Sequence, residues 1–221
     1  MFSIKKSHYY KNPFVGLFLK TNDRHTLIPK KAPATLVSGV SSLQTDAVEL
    51  LINQSPLLGL FSVLNSTGCI LHQEAENEEK RILKKLGYNV YVMKNSLAPG
   101  NMLLANDHAC YLSPQVPKKE LAAIGECLGV EPFQTPLSGM HTPGSLNVVT
   151  NTGLFAYNNI TEVDFYNLQT RFGVEGLNGT CNTGTVFNAL GVVANRHGAL
   201  VGESTTGFEI QRVFQGLCGP E

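Results

Sequence analysis

The chain has 221 residues, with 17 Lys and Arg against 17 Asp and Glu, 43% apolar residues and only 15% charged ones. At about 150 residues per domain this length spans one large domain or two small ones, and the apolar share suffices for a packed core, which excludes a disordered chain. Zero net charge excludes a body that lives mainly on phosphate contacts, so DNA is not an expected partner.

The N-terminus opens on charged and aromatic residues, without an apolar run followed by small residues, and no stretch approaches the roughly 18 apolar residues of a membrane span. Neither a signal peptide nor a membrane is expected. The charge is nevertheless uneven: Lys5, Lys6, Lys11, Lys20, Arg24, Lys30 and Lys31 face Asp23 alone within residues 1–31. Such an end reads either as a contact for RNA or an acidic partner, or as a solvated basic surface.

From Gly16 onward the chain repeats. The segments GLFLKTN (16–22), GLFSVLN (59–65), GNMLLAN (100–106), GSLNVVTN (144–151) and NALGVVAN (188–195) are apolar runs ending in Asn, and the first four begin with Gly. The closing residues Asn22, Asn65, Asn106, Asn151 and Asn195 are spaced by 43, 41, 45 and 44. After each come a few turn residues and a second apolar run, such as Cys69–Leu71 or Leu154–Tyr157, which predicts that each unit opens with a β-hairpin turned by its Asn.

Helical periodicity follows each hairpin: Ile82, Leu83 and Leu86; Leu121, Ile124 and Leu128; Phe165, Leu168 and Phe172; Ile210, Val213, Phe214 and Leu217. Thr161 and Thr206 stand three before an acidic residue as caps, Pro117 suits a first helical turn, and Glu74, Glu76, Glu78 and Glu79 suit a helix start. In the first unit Pro33–Leu43 is only weakly helical. A third strand is predicted at Val48–Ile52, Asn89–Val92, Val130–Phe133 and Val174–Leu177. The last unit has no room for one, and the extra segment Ser3–Tyr10 is expected to supply it and close a ring. The expected organisation is one domain of five repeats, at about 12–52, 55–93, 96–133, 137–177 and 181–221, with residues 3–10 closing the circle.

Motifs for phosphate loops, serine hydrolysis or zinc proteases are absent from the sequence. Five cysteines, an odd number without a C-x-x-C pair, suggest reduced thiols in the cytoplasm rather than a disulfide framework or a zinc site. His25, His108 and His197 fall in equivalent turns and read as turn polarity; no metal and no cofactor is expected. Gly16, Gly59, Gly100 and Gly144 are expected to start strands near a crowded axis. One catalytic alternative stays open, because five-fold pseudosymmetric folds also host guanidine-modifying enzymes with a C-terminal nucleophilic Cys and a mid-chain His. Cys218 and His141 are the residues concerned, but residues 134–161 contain no Asp or Glu to hold a guanidinium.

The segments SLAPGNMLLANDHACYLSP (96–114), FGVEGLNGTCNTGT (172–185) and GVVANRHGALVGESTTGFE (191–209) carry a resemblance over essentially the whole chain. The sequence resembles the translation initiation factor six family, the ribosome anti-association factors, in its archaeal form. The resemblance implies an α/β fold, a pentein-type β/α propeller, and a non-enzymatic monomer. It implies binding to the large ribosomal subunit, against a ribosomal protein and near the rRNA of the sarcin–ricin loop, which blocks joining of the small subunit and links the factor to ribosome biogenesis. Carried over by position, the ribosome-binding residues are Gly16, Leu17, Gly59, Leu60, Gly100, Asn101, Gly144, Ser145 and Leu146. Asn101 matches the family Asn after Gly, whereas Leu60 departs from the basic residue that eukaryotic members can carry.

Overall fold

A computed structural model describes residues 2–135, 137 and 139–219. In chain order its elements are β1 (Ser3–Ser7), α1 (Val15–Phe18), β2 (Lys20–Thr21), β3 (His25–Pro29), α2 (Ala34–Val40), β4 (Asp46–Leu50), α3 (Leu58–Phe61), β5 (Ser62–Leu64), β6 (Gly68–Leu71), α4 (Asn77–Lys85), β7 (Asn89–Val92), α5 (Pro99–Met102), β8 (Leu103–Ala105), β9 (Ala109–Leu112), α6 (Lys118–Leu128), β10 (Glu131–Gln134), α7 (Pro143–Leu146), β11 (Val148–Val149), β12 (Leu154–Tyr157), α8 (Glu162–Phe172), β13 (Gly176–Gly179), α9 (Asn188–Gly191), β14 (Val192–Asn195), β15 (Gly198–Gly202) and α10 (Gly207–Leu217). Ser138 of the expected fourth repeat, and Pro220 and Glu221 at the end of the fifth, lie outside the described residues.

The strands form five three-stranded sheets, β2-β3-β4, β5-β6-β7, β8-β9-β10, β11-β12-β13 and β14-β15-β1, the five-fold pseudosymmetric α/β arrangement. In each, an antiparallel hairpin is joined by a parallel third strand: Lys20 stands opposite Leu27, and His25 opposite Asp46. The fifth sheet takes its parallel strand from the other end of the chain, with Ser3 opposite Gly198 and Ser7 opposite Gly202.

Several elements differ from the sequence reading. Each hairpin is preceded by a single helical turn, so the repeat glycines lie in α1, α3, α5 and α7 rather than at strand starts. Pro99 and Pro143 at the first helical position suit that turn. Pro33–Leu43 does form a helix, α2 with a 3₁₀ turn at Ser41–Leu43, because Leu36, Val40 and Leu43 have a core to enter. Pro117 is the extended cap before α6 rather than part of its first turn. The third strands β4, β10 and β13 are offset from the expected ranges, whereas β7 coincides with Asn89–Val92. Pairing decides the offset: Leu154 lies opposite Gly176, so Val174 turns into the core instead of joining the sheet.

The outer helices begin as their caps dictate. Thr161 accepts from the Asp164 N–H, and Thr206 and Glu209 form a reciprocal capping box, as do Glu76 and Glu79. Gly129 and Gly173 end α6 and α8 at φ 68° and 66°, the left-handed conformation that glycine adopts without strain.

The core is divided into five wedges, each filled from two neighbouring units. Leu27 of the first unit packs with Leu64, Leu71 and Leu83 of the second; Val63 and Ile70 pack with Ile124 and Leu128; Leu104 and Tyr111 with Leu168 and Phe172; Val148 and Phe155 with Val213 and Leu217. Val193 and Leu200 of the fifth unit return to Leu19, Ile28, Leu36 and Val40 of the first, closing the circle. Burial that depends on the next unit in this way binds the fold into a ring.

Candidate functional site

The ring has two axial ends, and the fold uses them differently. At the hairpin-turn end four of the five repeat Asn residues, Asn22, Asn65, Asn106 and Asn195, are buried and fully engaged. The Asn106 carbonyl accepts from the His108 and Ala109 N–H groups at 2.9 and 3.1 Å, closing its own turn. Its amide donates to the Thr150 and Phe172 carbonyls of the next unit at 3.1 and 3.0 Å. Asn65 does the same with Thr67, Gly68, Asn106 and Leu128, and Asn195 with His197, Gly198, Asn22 and Leu43. Asn22 reaches the Asn65 carbonyl and, where α4 is shorter, the Tyr88 hydroxyl.

The fourth unit corrects the sequence register. Thr150, not Asn151, occupies the repeat position, since its hydroxyl accepts from the Thr152 and Gly153 N–H groups. Thr150 has no amide to donate onward; Thr152 Oγ1 instead donates to Leu217 O at 3.2 Å. Asn151 is the next residue along, equivalent to Asp23, Ser66, Asp107 and Arg196, and its amide bridges the Asp23 and Asp107 carboxylates at 2.8 and 2.7 Å. This end is stitched to itself.

The opposite end is an annulus of the five one-turn helices α1, α3, α5, α7 and α9. A Cβ on Gly16 would collide with the Ala189 carbonyl, one on Gly59 with Gly16 O, one on Gly100 with Gly59 O, and one on Gly144 with Gly100 O. Close approach, rather than positive φ, therefore demands glycine here. The third residues of the five helices are Leu17, Leu60, Asn101, Ser145 and Leu190. Leu17, Leu60, Asn101 and Leu190 are partly exposed. Asn101 has no side-chain hydrogen bond among the described residues, so its amide is free to meet a partner.

Two of the carried-over positions do not fit a docking role. Ser145 is 4% exposed and donates to Thr142 O, and Leu146 is 0% exposed in the wedge with Tyr111 and Phe172. Leu146 is the fourth residue of its helix, the position that Phe18 also fills in burying itself. Leu190, absent from the sequence reading, takes a place in the annulus. Ala189 stands at the glycine position of the fifth unit, so the Gly signal fails there; counting six residues back from Asn195 would have found it.

Between the two ends runs an axial cavity of about 60 Å³, lined by the repeat glycines and by residues such as Lys20, Val148 and Val193. That is far below the roughly 300–1,000 Å³ of small-molecule sites. Lys20 stands where the other units have Val63, Leu104, Val148 and Val193, and burial pushes its amine down to about 8.

The residues considered for catalysis are not assembled. Cys218 caps the end of α10 next to Leu217, whose carbonyl binds Thr152 at the hairpin-turn end, whereas His141 precedes α7 in the annulus. A nucleophile and its base need hydrogen-bond reach. The other four cysteines are buried, and burial raises their thiols, that of Cys181 to about 12. No group of three or more His, Cys, Asp or Glu among the described residues could hold a metal ion. No helix among them is long and apolar enough to cross a membrane. Three of the cations of residues 1–31 are engaged by the fold: Lys5 donates to Ser41 Oγ, Lys20 faces the interior, and Arg24 lies over the Tyr88 ring and donates to Ser66 O.

Residues 4–216 match the model of the eIF-6 family. Among curated proteins, the chain is 34% identical to Translation initiation factor 6 of Pyrobaculum arsenaticum, over 98% of this chain and all of the relative. It is 35% identical to the protein of the same name from Staphylothermus marinus, over 95% of both, and 36% identical to that of Saccharolobus islandicus, over 92% of this chain and 93% of the relative.

Proposed function

The chain belongs to the eIF-6 family, and from that premise we propose that it is a translation initiation factor that binds the large ribosomal subunit and sterically prevents the small subunit from joining. It acts in the cytoplasm as a monomer, a single closed domain of five repeats, and without chemistry. The observation that carries this reading is the annulus of one-turn helices: a preformed rim bearing Leu17, Leu60, Asn101 and Leu190, with one free amide among apolar side chains.

Physical reasons support it. Each helix is pressed against its neighbour at glycine, so the rim has little conformational freedom to lose on docking. Partly exposed Leu side chains around a single polar group suit the apolar core and polar point of a protein–protein contact, here with a ribosomal protein. Occlusion needs size and affinity only, which agrees with an axial cavity too small for a substrate.

Added to purified subunits, the protein is expected to co-sediment with the large subunit on a sucrose gradient and to reduce the joined-ribosome peak. Asn101→Asp should weaken that co-sedimentation while leaving the thermal transition in place. Protein that stays at the top of the gradient, with joined ribosomes unchanged, refutes the reading.

A further inference from the structure

The strongest unexplained charge lies on α4, outside the annulus. Lys80, Arg81, Lys84 and Lys85 occupy six consecutive residues that hold no acidic side chain, in a chain of zero net charge. Together with Asn77 they line one shallow depression on the outside of the ring. None of them is in an ion pair: the single ion pair among the described residues joins His8 and Glu203.

Lys84 and Lys85 suit the negative end of the helix, but Lys80 and Arg81 do not need to be there for that reason. Like charges four apart, Lys80 with Lys84 and Arg81 with Lys85, repel and weaken the helix. Of the carboxylates at the start of the helix, Glu79 is buried and turned to the Asn53 and Glu76 N–H groups, and exposed Glu76 and Glu78, though spaced to reach Lys80 and Arg81, form no ion pair with them. The Glu79 bond to Asn53 ties the start of α4 to the turn that leads into α3, and from there the helix runs along the outer wall to the hairpin-turn end, where Tyr88 meets Asn22, so the basic residues occupy the half of α4 away from the annulus.

We propose that this face of α4 binds the phosphate backbone of RNA along the outer wall of the ring, apart from the rim that docks through Leu60 and Asn101. Unpaired, closely spaced cations along an outer helix fit a polyanion that is recognised without base readout. The proposal deepens the docking reading and rests on it for the source of the RNA, the large subunit itself. It also moves the nucleic-acid contact away from the N-terminal cations, of which Lys5, Lys20 and Arg24 are engaged within the fold.

The test uses the full chain with Lys80→Gln, Arg81→Gln, Lys84→Gln and Lys85→Gln combined, Gln being a good helix former. A control variant carries Lys5→Gln, Lys6→Gln, Lys11→Gln and Lys31→Gln, the same change in charge elsewhere. Fluorescence anisotropy with a labelled RNA duplex of about 16 base pairs should show at least a tenfold loss for the α4 variant. The slope of log affinity against log salt should flatten by about 2 to 3, with little change in the control. Equal losses in both variants, an unchanged slope for the α4 variant, or equally tight binding of polyglutamate by the wild type overturns the proposal. Gradients with large subunits separate the two readings: a wild type that fails to co-sediment while the α4 loss on RNA persists refutes the docking reading and leaves the RNA face standing. Co-sedimentation that the α4 substitutions leave intact at every salt concentration, with RNA affinity unaltered, refutes the RNA face alone.

Discussion

Replacing Asn106 by Ala tests whether the repeat Asn side chains hold neighbouring units together. The substitution removes four hydrogen bonds from a side chain that is 4% exposed: two received from His108 and Ala109, and two donated to Thr150 and Phe172. Each buried hydrogen bond contributes a net of about 1 kcal/mol, and each partner left unsatisfied costs about 1–3 kcal/mol; since the vacated space admits water to some partners, the expected loss is roughly 3–5 kcal/mol. For a chain of this length total stability is about 5–15 kcal/mol, so the effect is large. At about 2–4 °C per kcal/mol, the midpoint of thermal unfolding should fall by roughly 10 °C. Asn106→Asp separates the two halves of the interaction, because it keeps an acceptor for its own turn but faces the Thr150 and Phe172 carbonyls with a second oxygen. It should recover little. Urea and thermal unfolding followed by circular dichroism measure both variants. A loss below about 1 kcal/mol for Asn106→Ala, or full recovery in Asn106→Asp, refutes the inter-unit role.

The remaining predictions concern a buried amine, a capping carboxylate, the closing strand and the core. Lys20→Met should stabilise the protein at pH 7 by about 1–3 kcal/mol, since the lowered amine pKa means that the unfolded chain binds the proton more tightly; the gain should shrink as pH rises from about 8 through the ordinary lysine range, and a pH-independent effect counts against the cause given. At Glu209 burial raises the pKa, but hydrogen bonds from Thr206, Gly184 and Thr180 outweigh it and the net shift is downward. Its contribution is therefore full above the ordinary glutamate value and lost as pH falls through the lowered one, and Glu209→Gln should flatten the acid limb of a stability profile. Deleting residues 1–11 removes β1 and bares the β15 edge, so the cooperative thermal transition should disappear. Leu146→Asp places a charge in a closed wedge and should prevent folding, whereas Asn101→Asp should fold with an unchanged midpoint in the same scan.

Much of the architecture was written in local pattern. Asn spacing, hairpin runs, helical periodicity and the Thr206–Glu209 cap need only a few neighbouring residues to act, so five units with a hairpin and an outer helix were legible, as was the need for glycine near an axis. A register that depends on pairing was not. Asn151 and Thr150 are adjacent, and either could have turned the hairpin by its side chain; the β11–β12 pairing of Val149 with Leu154 chose Thr150. α2 was faint for a related reason: its apolar residues become helical when Val193 and Leu200 of the far end cover them.

The candidate site divides in the same way. The sequence by itself determined the family, the count of repeats and the Gly–Asn pair at 100 and 101, because these reside in the order of residues. Tertiary structure alone decided that Leu146 belongs to the core and Leu190 to the rim, that Lys20 of the basic N-terminal run turns to the interior, and that the cations of α4 line one depression. Which side of a one-turn helix faces water depends on how five such turns press together around an axis, and that contact is made between residues more than forty positions apart.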